Sequence, residues 1–172
     1  MDKHIYYLLA LQLMSLSTHG QCHQLVRQAS RQSDRVVVMT TQVGKPSTEP
    51  IHYRRVQEKG QTWFFVQLYT SGGSVLPQKG ATVLFTDGSS IQWPQVALVS
   101  VLNGTGYTSH CLINLAEEEI EQFQDKTVAS LTLCTHQRLL TSHQAQRAKD
   151  IINCVIGADL MKIESDKLVS QQ

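Results

Sequence analysis

"ATVLFTDGSSIQW" (residues 81–93) places two apolar runs on either side of Asp87-Gly88. A small polar residue before glycine, between alternating apolar runs, is a strong short-range signal for a β-hairpin. The turn needs positive φ angles, and these residues adopt them at little cost. The next stretch repeats the device: "VALVSVLNGTGYTSHCLINL" (96–115) carries Asn103-Gly104 between two further runs. Asn103-Gly104-Thr105 also spells a glycosylation triplet, but the turn is the reading taken here. Two hairpins in succession predict antiparallel strands and a mainly β fold.

Toward the N-terminus the β signal continues. In "TWFFVQLYT" (62–70), Trp63, Phe65, Gln67 and Tyr69 alternate with Phe64, Val66 and Leu68. Both faces are largely apolar, which predicts a central strand covered on both sides. "RVVVMTTQV" (35–43) is dense in β-branched residues and stops at Gly44-Lys45-Pro46. "IHYRRVQ" (51–57) alternates poorly and reads as an edge strand. "HQLVRQASRQSD" (23–34) is polar and reads as a short leading helix or a loose arm. "TSGGS" (70–74) reads as a loop, because no helix follows to present its N-terminus to a phosphate.

Helical signals come late. "NLAEEEIEQF" (114–123) offers Asn114 as N-cap with Glu117 three residues on, a capping-box pattern. "TVASLTLCTHQ" (127–137) alternates as one strand. "TSHQAQRAKDIINCVIG" (141–157) has Thr141 as N-cap and Gln144 as its box partner. Ala145, Ala148, Ile151, Ile152, Val155 and Ile156 form a stripe of helical period, and Gly157 ends it. Strands, a short helix, a strand and a helix do not make a βαβ alternation. The expected class is α+β, mainly β: an antiparallel sheet or sandwich with a short helix and a C-terminal helix packed on it.

The first residues set the compartment. The apolar run Ile5–Leu16 falls short of the ~20 residues that cross a bilayer. Its length fits the hydrophobic region of a secretory signal peptide, and Thr18-His19-Gly20 places small residues where a signal peptidase reads. The expectation is cleavage after Gly20, with Gln21 first in the mature chain and no transmembrane segment in it. Gln21 before Cys22 argues against a lipoprotein. The expected organisation is 1–20 signal peptide, 21–34 N-terminal arm, 35–157 a single β-rich domain and 158–172 a polar C-terminal tail.

With 15 Lys and Arg against 14 Asp and Glu, and no long charge run, nothing points to nucleic acid or an anionic membrane surface. All four cysteines lie beyond Gly20, and an even count in an exported chain favours disulfides. Of three possible pairings, Cys111–Cys134 with Cys22–Cys154 is the one expected. Adjacent strands would join the first pair, and the second would tie the arm to the last helix.

The motifs of serine hydrolases, zinc proteases, P-loops and dinucleotide folds are missing. The sharpest metal candidate is Cys134 with His136, two residues apart on one strand face, and His143 as a third ligand. Nothing calls for a cofactor. A hydrolytic site would draw on His110, His136 or Asp87, and Trp63, Tyr69, Trp93 and Tyr107 are candidates to line a ligand groove.

The short apolar leader, "VLFTDGSSIQWP", "INLAEEEIEQF", "TVASLTL" and the helix ending in "INCVIG" together resemble small exported proteins of Bacteroidetes. The resemblance spans most of residues 36–156. It implies export to the periplasm or cell surface and carries no active-site residues. The function expected is a non-enzymatic binding or interaction module of the cell envelope, taking a protein, peptide or small-molecule ligand. The alternative is a small exported hydrolase.

Overall fold

The computed structural model of the chain describes residues 26–32, 35–40, 49–73, 78–104 and 106–157. The proposed signal peptide, Cys22 and the polar tail lie outside them. Nine strands form one sheet among the described residues: β1 (Val26–Gln32), β2 (Arg35–Thr40), β3 (Ile51–Glu58), β4 (Gln61–Ser71), β5 (Gln78–Phe85), β6 (Ser90–Asn103), β7 (Gly106–Asn114), β8 (Val128–Leu133) and β9 (His136–Leu139). Helix α1 (Glu117–Asp125) joins β7 to β8, and α2 (Ser142–Gly157) follows β9. The order across the sheet is β1-β2-β3-β4-β7-β6-β5-β8-β9, and every pairing is antiparallel. The fold is the α+β, mainly β class read from the sequence.

Strand β6 organises the layers. Its first part pairs with β5 up to Leu98, and its last part, Val99–Asn103, pairs with β7. The register breaks where Trp93 and Ala97 face Ala81 and Lys79. Pro94 lies inside that break, where its missing N–H costs no ladder bond. The sheet bends there, and β4 packs against β8 and β9 without pairing to them. Val66 and Leu68 of β4, Cys111 and Ile113 of β7, and Val83, Leu131 and Leu133 from the other half share one core. This folded-over sheet is compatible with a sandwich.

Helix α2 closes the core from the side of β3, β2 and β8. Its stripe of Ala148, Ile151, Ile152 and Val155 is buried. The N-terminus is capped as the sequence predicts: Gln144 N–H donates to Thr141 Oγ1 (3.2 Å), and Thr141 N–H to Gln144 Oε1 (3.1 Å). At the other end Arg55 of β3 donates to the Ile156 carbonyl (3.0 Å), a cation at the negative end of the helix dipole. Arg147 Nε donates to Glu49 Oε1 (2.6 Å), a second tie beside β3.

Five expectations are corrected. Residues 26–32 are neither helix nor arm but edge strand β1, paired to β2. Strand β3 is interior, between β2 and β4. Its alternation is masked by Arg55, which shares the buried face with Ile51 and Tyr53 because its guanidinium reaches α2. The helix after β7 starts later than Asn114, which remains in β7 opposite Phe65. Its N-cap is Ala116, whose N–H donates to Glu119 Oε2 (2.8 Å), while Glu119 Oε1 accepts from Trp93 Nε1 (2.9 Å). The stretch 127–137 is a hairpin, with Cys134 in the turn at φ +53°. A cysteine in the left-handed region leaves no recognisable turn signal. The outer face of β4 is only half-buried at Trp63, Phe65 and Gln67 and is buried at Tyr69, so the cover expected on both sides is complete on the outer side only at the Tyr69 end. No helix among the described residues is long and apolar enough to cross a membrane.

Candidate functional site

Alternation along β4, β7 and the last part of β6, Val99–Asn103, divides the sheet into two surfaces. Val66, Leu68, Cys111 and Ile113 point into the core; their neighbours Phe65, Gln67, Tyr69, His110 and Leu112 point out. Three rings line up on the outer surface, one from each of three adjacent strands. Tyr69 of β4 stacks on His110 of β7 (centroids 5.4 Å apart, 29° between planes). His52 of β3 meets Tyr69 edge-on (5.2 Å, 68°). Both contacts follow from pairing, since Tyr69 lies opposite His110 and His52 opposite Gln67, two residues along β4.

Burial lowers the pKa of His52, against the opposing pull of the Glu49 carbonyl and carboxylate; burial likewise lowers that of His110. Burial thus favours the neutral form of both rings, and His52 Nε2 lies 2.9 Å from the Glu49 carbonyl. Tyr69 is shifted upward by burial, with Arg54 opposing.

The row opens at its far end. Next to His110 lie Val99 of β6, 53% exposed, Val101 at 51% and Leu112 of β7 at 47%. They form one contiguous aliphatic patch, because Val99 faces His110 directly and Leu112 is two residues along the same face. Ala97 extends it along β6. The outer surface thus passes from buried rings over β3 and β4 to open aliphatic side chains over β7 and β6.

A second polar row crosses the inner surface at the end of β4. Thr70, Ser109 and Ser100 are register partners across β4, β7 and β6, and Ser100 Oγ and Ser109 Oγ are hydrogen-bonded at 2.8 Å. Thr70 Oγ1 and Gln78 Oε1 are buried without a partner among the described residues. This row ends the hydrophobic core, and the ring of His136 packs nearby against Gly72.

The sequence-predicted residues are dispersed. Cys111 and Cys134 do not form the expected bridge: both are free thiols. Their strands are not neighbours, since β7 lies between β4 and β6, and β8 between β5 and β9. Cys111 is buried in the core, which pushes its thiol up to about 11; Cys134 is exposed in its turn. Cys154 is buried on α2. The chain's own remaining cysteine, Cys22, lies outside the described residues.

Cys134, His136 and His143 do not form a metal cluster, and no group of three His, Cys, Asp or Glu among the described residues can hold an ion. The turn removes Cys134 from the strand face that the spacing argument needs. Asp87 and His136 sit at opposite ends of the β5–β8 ladder, where Phe85 pairs with Val128 and Leu133 lies between Ala81 and His136. His110 is on the outer surface of β7. The aromatic groove also divides: Trp63 and Tyr69 lie outside on β4, while Trp93 packs against the core.

Sequence reasoning missed the His52–Tyr69–His110 row. Its partners are 17 and 41 positions apart, and only the β3–β4 and β4–β7 pairings bring them together. No protein-family model, curated protein or solved structure matches the chain.

Proposed function

We propose that the chain is an exported, non-enzymatic binding module of the bacterial cell envelope that engages a protein partner through the open part of its outer surface. The observation that carries this reading is the contiguous patch of Val99, Val101 and Leu112 beside His110, whose neutral form burial favours. Single exposed aliphatics are ordinary on soluble proteins, whereas contiguous ones beside aromatic rings mark contact surfaces. A hydrolytic site would need converging polar groups. Asp87 and His136 stand at opposite ends of their ladder, which favours the binding reading.

Export and a Cys22–Cys154 bridge belong to the same proposal. With Cys111 and Cys134 as free thiols, that bridge is the pairing that stays open within the chain. It would close a long loop of the unfolded chain, worth about 4–5 kcal/mol on the loop-entropy model.

Intact-mass analysis of the protein from its native host should give a chain beginning at Gln21; one retaining Met1 would overturn export. A photoreactive residue at Val99 should trap one discrete envelope protein, and Leu112→Asp should abolish the adduct. Leu84, an exposed residue of β5, serves as the control position. Equal trapping from both positions, or none from position 99, refutes the docking surface.

A further inference from the structure

The chain contains two dipeptides of the kind that rearrange through a five-membered imide, Asp87-Gly88 and Asn103-Gly104. Each lies in a hairpin turn, and the folded protein treats them differently. The Asp87 carboxylate accepts from Ser89 N–H (2.9 Å) and Ser89 Oγ (2.6 Å) and pairs with Lys126 Nζ (3.3 Å). The Gly88 amide, the nitrogen that would attack, donates to the Phe85 carbonyl (3.1 Å). An ionised, hydrogen-bonded carboxylate is a poor electrophile, and a hydrogen-bonded amide is a poor nucleophile.

Asn103 has the opposite setting. It is the outermost paired residue of the β6–β7 ladder, opposite Gly106, and is exposed. Gly104 follows at φ +63°, and a β-carbon there would meet nothing within 4 Å. A first loop residue donates no hydrogen bond to the ladder of a tight turn, so the Gly104 amide is free of that ladder. Closing the ring requires rotation of the extended Asn103 backbone. At the last rung of an exposed hairpin this opening is among the least costly in a fold.

We propose that Asn103 is a self-modification site, where the protein converts asparagine to aspartate and isoaspartate with water as the only co-reactant. The Gly104 amide nitrogen, losing its proton, bonds to the side-chain Cγ of Asn103. The bond from Cγ to the side-chain nitrogen breaks, and ammonia leaves. Water then opens the imide at either carbonyl, giving aspartate by one route and isoaspartate by the other. No electron transfer is involved.

The product adds one negative charge to a chain of formal net charge +1. By alternation Asn103 shares the outer surface with Val99 and Val101, so the new carboxylate stands at the margin of the aliphatic patch. The chemistry does not depend on that patch being a contact surface.

The test is incubation of the intact, folded chain at mildly alkaline pH, followed by peptide mapping that separates aspartate from isoaspartate. Asn103 should convert at a rate within about tenfold of that in denaturant, since only local opening is needed. Asn114 and Asn153 should lag far behind, and Asp87 should stay unisomerised. Isoaspartate should exceed aspartate at position 103. The variant Ser89→Ala/Lys126→Ala should raise isoaspartate at Asp87 while leaving the Asn103 rate unchanged. Conversion of Asn103 no faster than that of Asn114 and Asn153, or conversion to aspartate alone, overturns the proposal.

Discussion

The β5–β6 and β6–β7 turns share strand β6 and begin from the same local signal, yet one is anchored and the other stands free. Around Asp87-Gly88, Thr86 N–H donates to the Thr127 carbonyl (2.9 Å), and Lys126 reaches the Asp87 carboxylate. Lys126 also lies over the Phe85 ring at 5.6 Å, and Phe85 meets Phe123 of α1 edge-on at 5.6 Å. This turn is built into the core through the segment that follows α1. Among the described residues the β6–β7 tip has nothing comparable: Leu102 is 63% exposed and Asn103 is open. The dipeptides mark both turns without making them alike: Gly88 comes late in its loop with its N–H on the Phe85 carbonyl, whereas Gly104 opens a two-residue loop after the paired Asn103, and among the described residues of the two turns only the glycines take positive φ. Contacts from distant parts of the chain then decide which turn is rigid.

The largest expected contrast is in stability. Phe85→Ala should cost about 3–5 kcal/mol, because it empties a fully buried ring site. Leu102→Ala at the free tip should stay within about 0.5 kcal/mol. Denaturant titration of the two variants checks this, and equal losses would erase the distinction between the ends. Ile152→Ala, which removes a buried contact of α2, should cost about 2–5 kcal/mol and calibrates the scale.

Acid should act on the anchored turn next. Hydrogen bonds from the Ser89 hydroxyl and amide, then Lys126, hold the Asp87 carboxyl at about 2, below its ordinary 3.8. A folded-state pKa below the unfolded one gives stability that is complete above the ordinary value and is lost as pH falls toward about 2. Wild type should lose stability over that window more steeply than Asp87→Asn. Matching slopes would mean that the carboxylate is not held in solution.

The histidine row should give a smaller slope at milder pH. Burial keeps the pKa of His52 and His110 below 6.5, so the unfolded chain takes up protons that the folded chain refuses. Stability should then fall as pH drops below about 6.5 and level off once the folded rings titrate. His52→Gln should flatten this part of the profile. An unchanged profile would show that the row does not resist protonation.

The smallest effect is one of reactivity alone. A soluble alkylating reagent should label exposed Cys134 in the folded protein and leave Cys111 until unfolding, since burial pushes the Cys111 thiol up to about 11. Simultaneous labelling of both would place Cys111 outside the core.

The sequence by itself determined what depends on neighbours along the chain. Period-2 alternation marked β4, the glycine dipeptides marked both hairpins, and Thr141 with Gln144 marked the start of α2, where the reciprocal bonds form. Residues up to four apart carry these signals, and they sum to the fold class. Tertiary structure decided everything that rests on strand order. It placed β3 inside the sheet, between β2 and β4, and turned Arg55 on its buried face to the end of α2. It separated Cys111 from Cys134 by inserting β6 and β5 between their strands. It also assembled His52, Tyr69 and His110 into one row. Side-chain periodicity sets which face a residue takes, but not which strand lies beside it; that choice is made by packing across the core, among residues far apart in the chain.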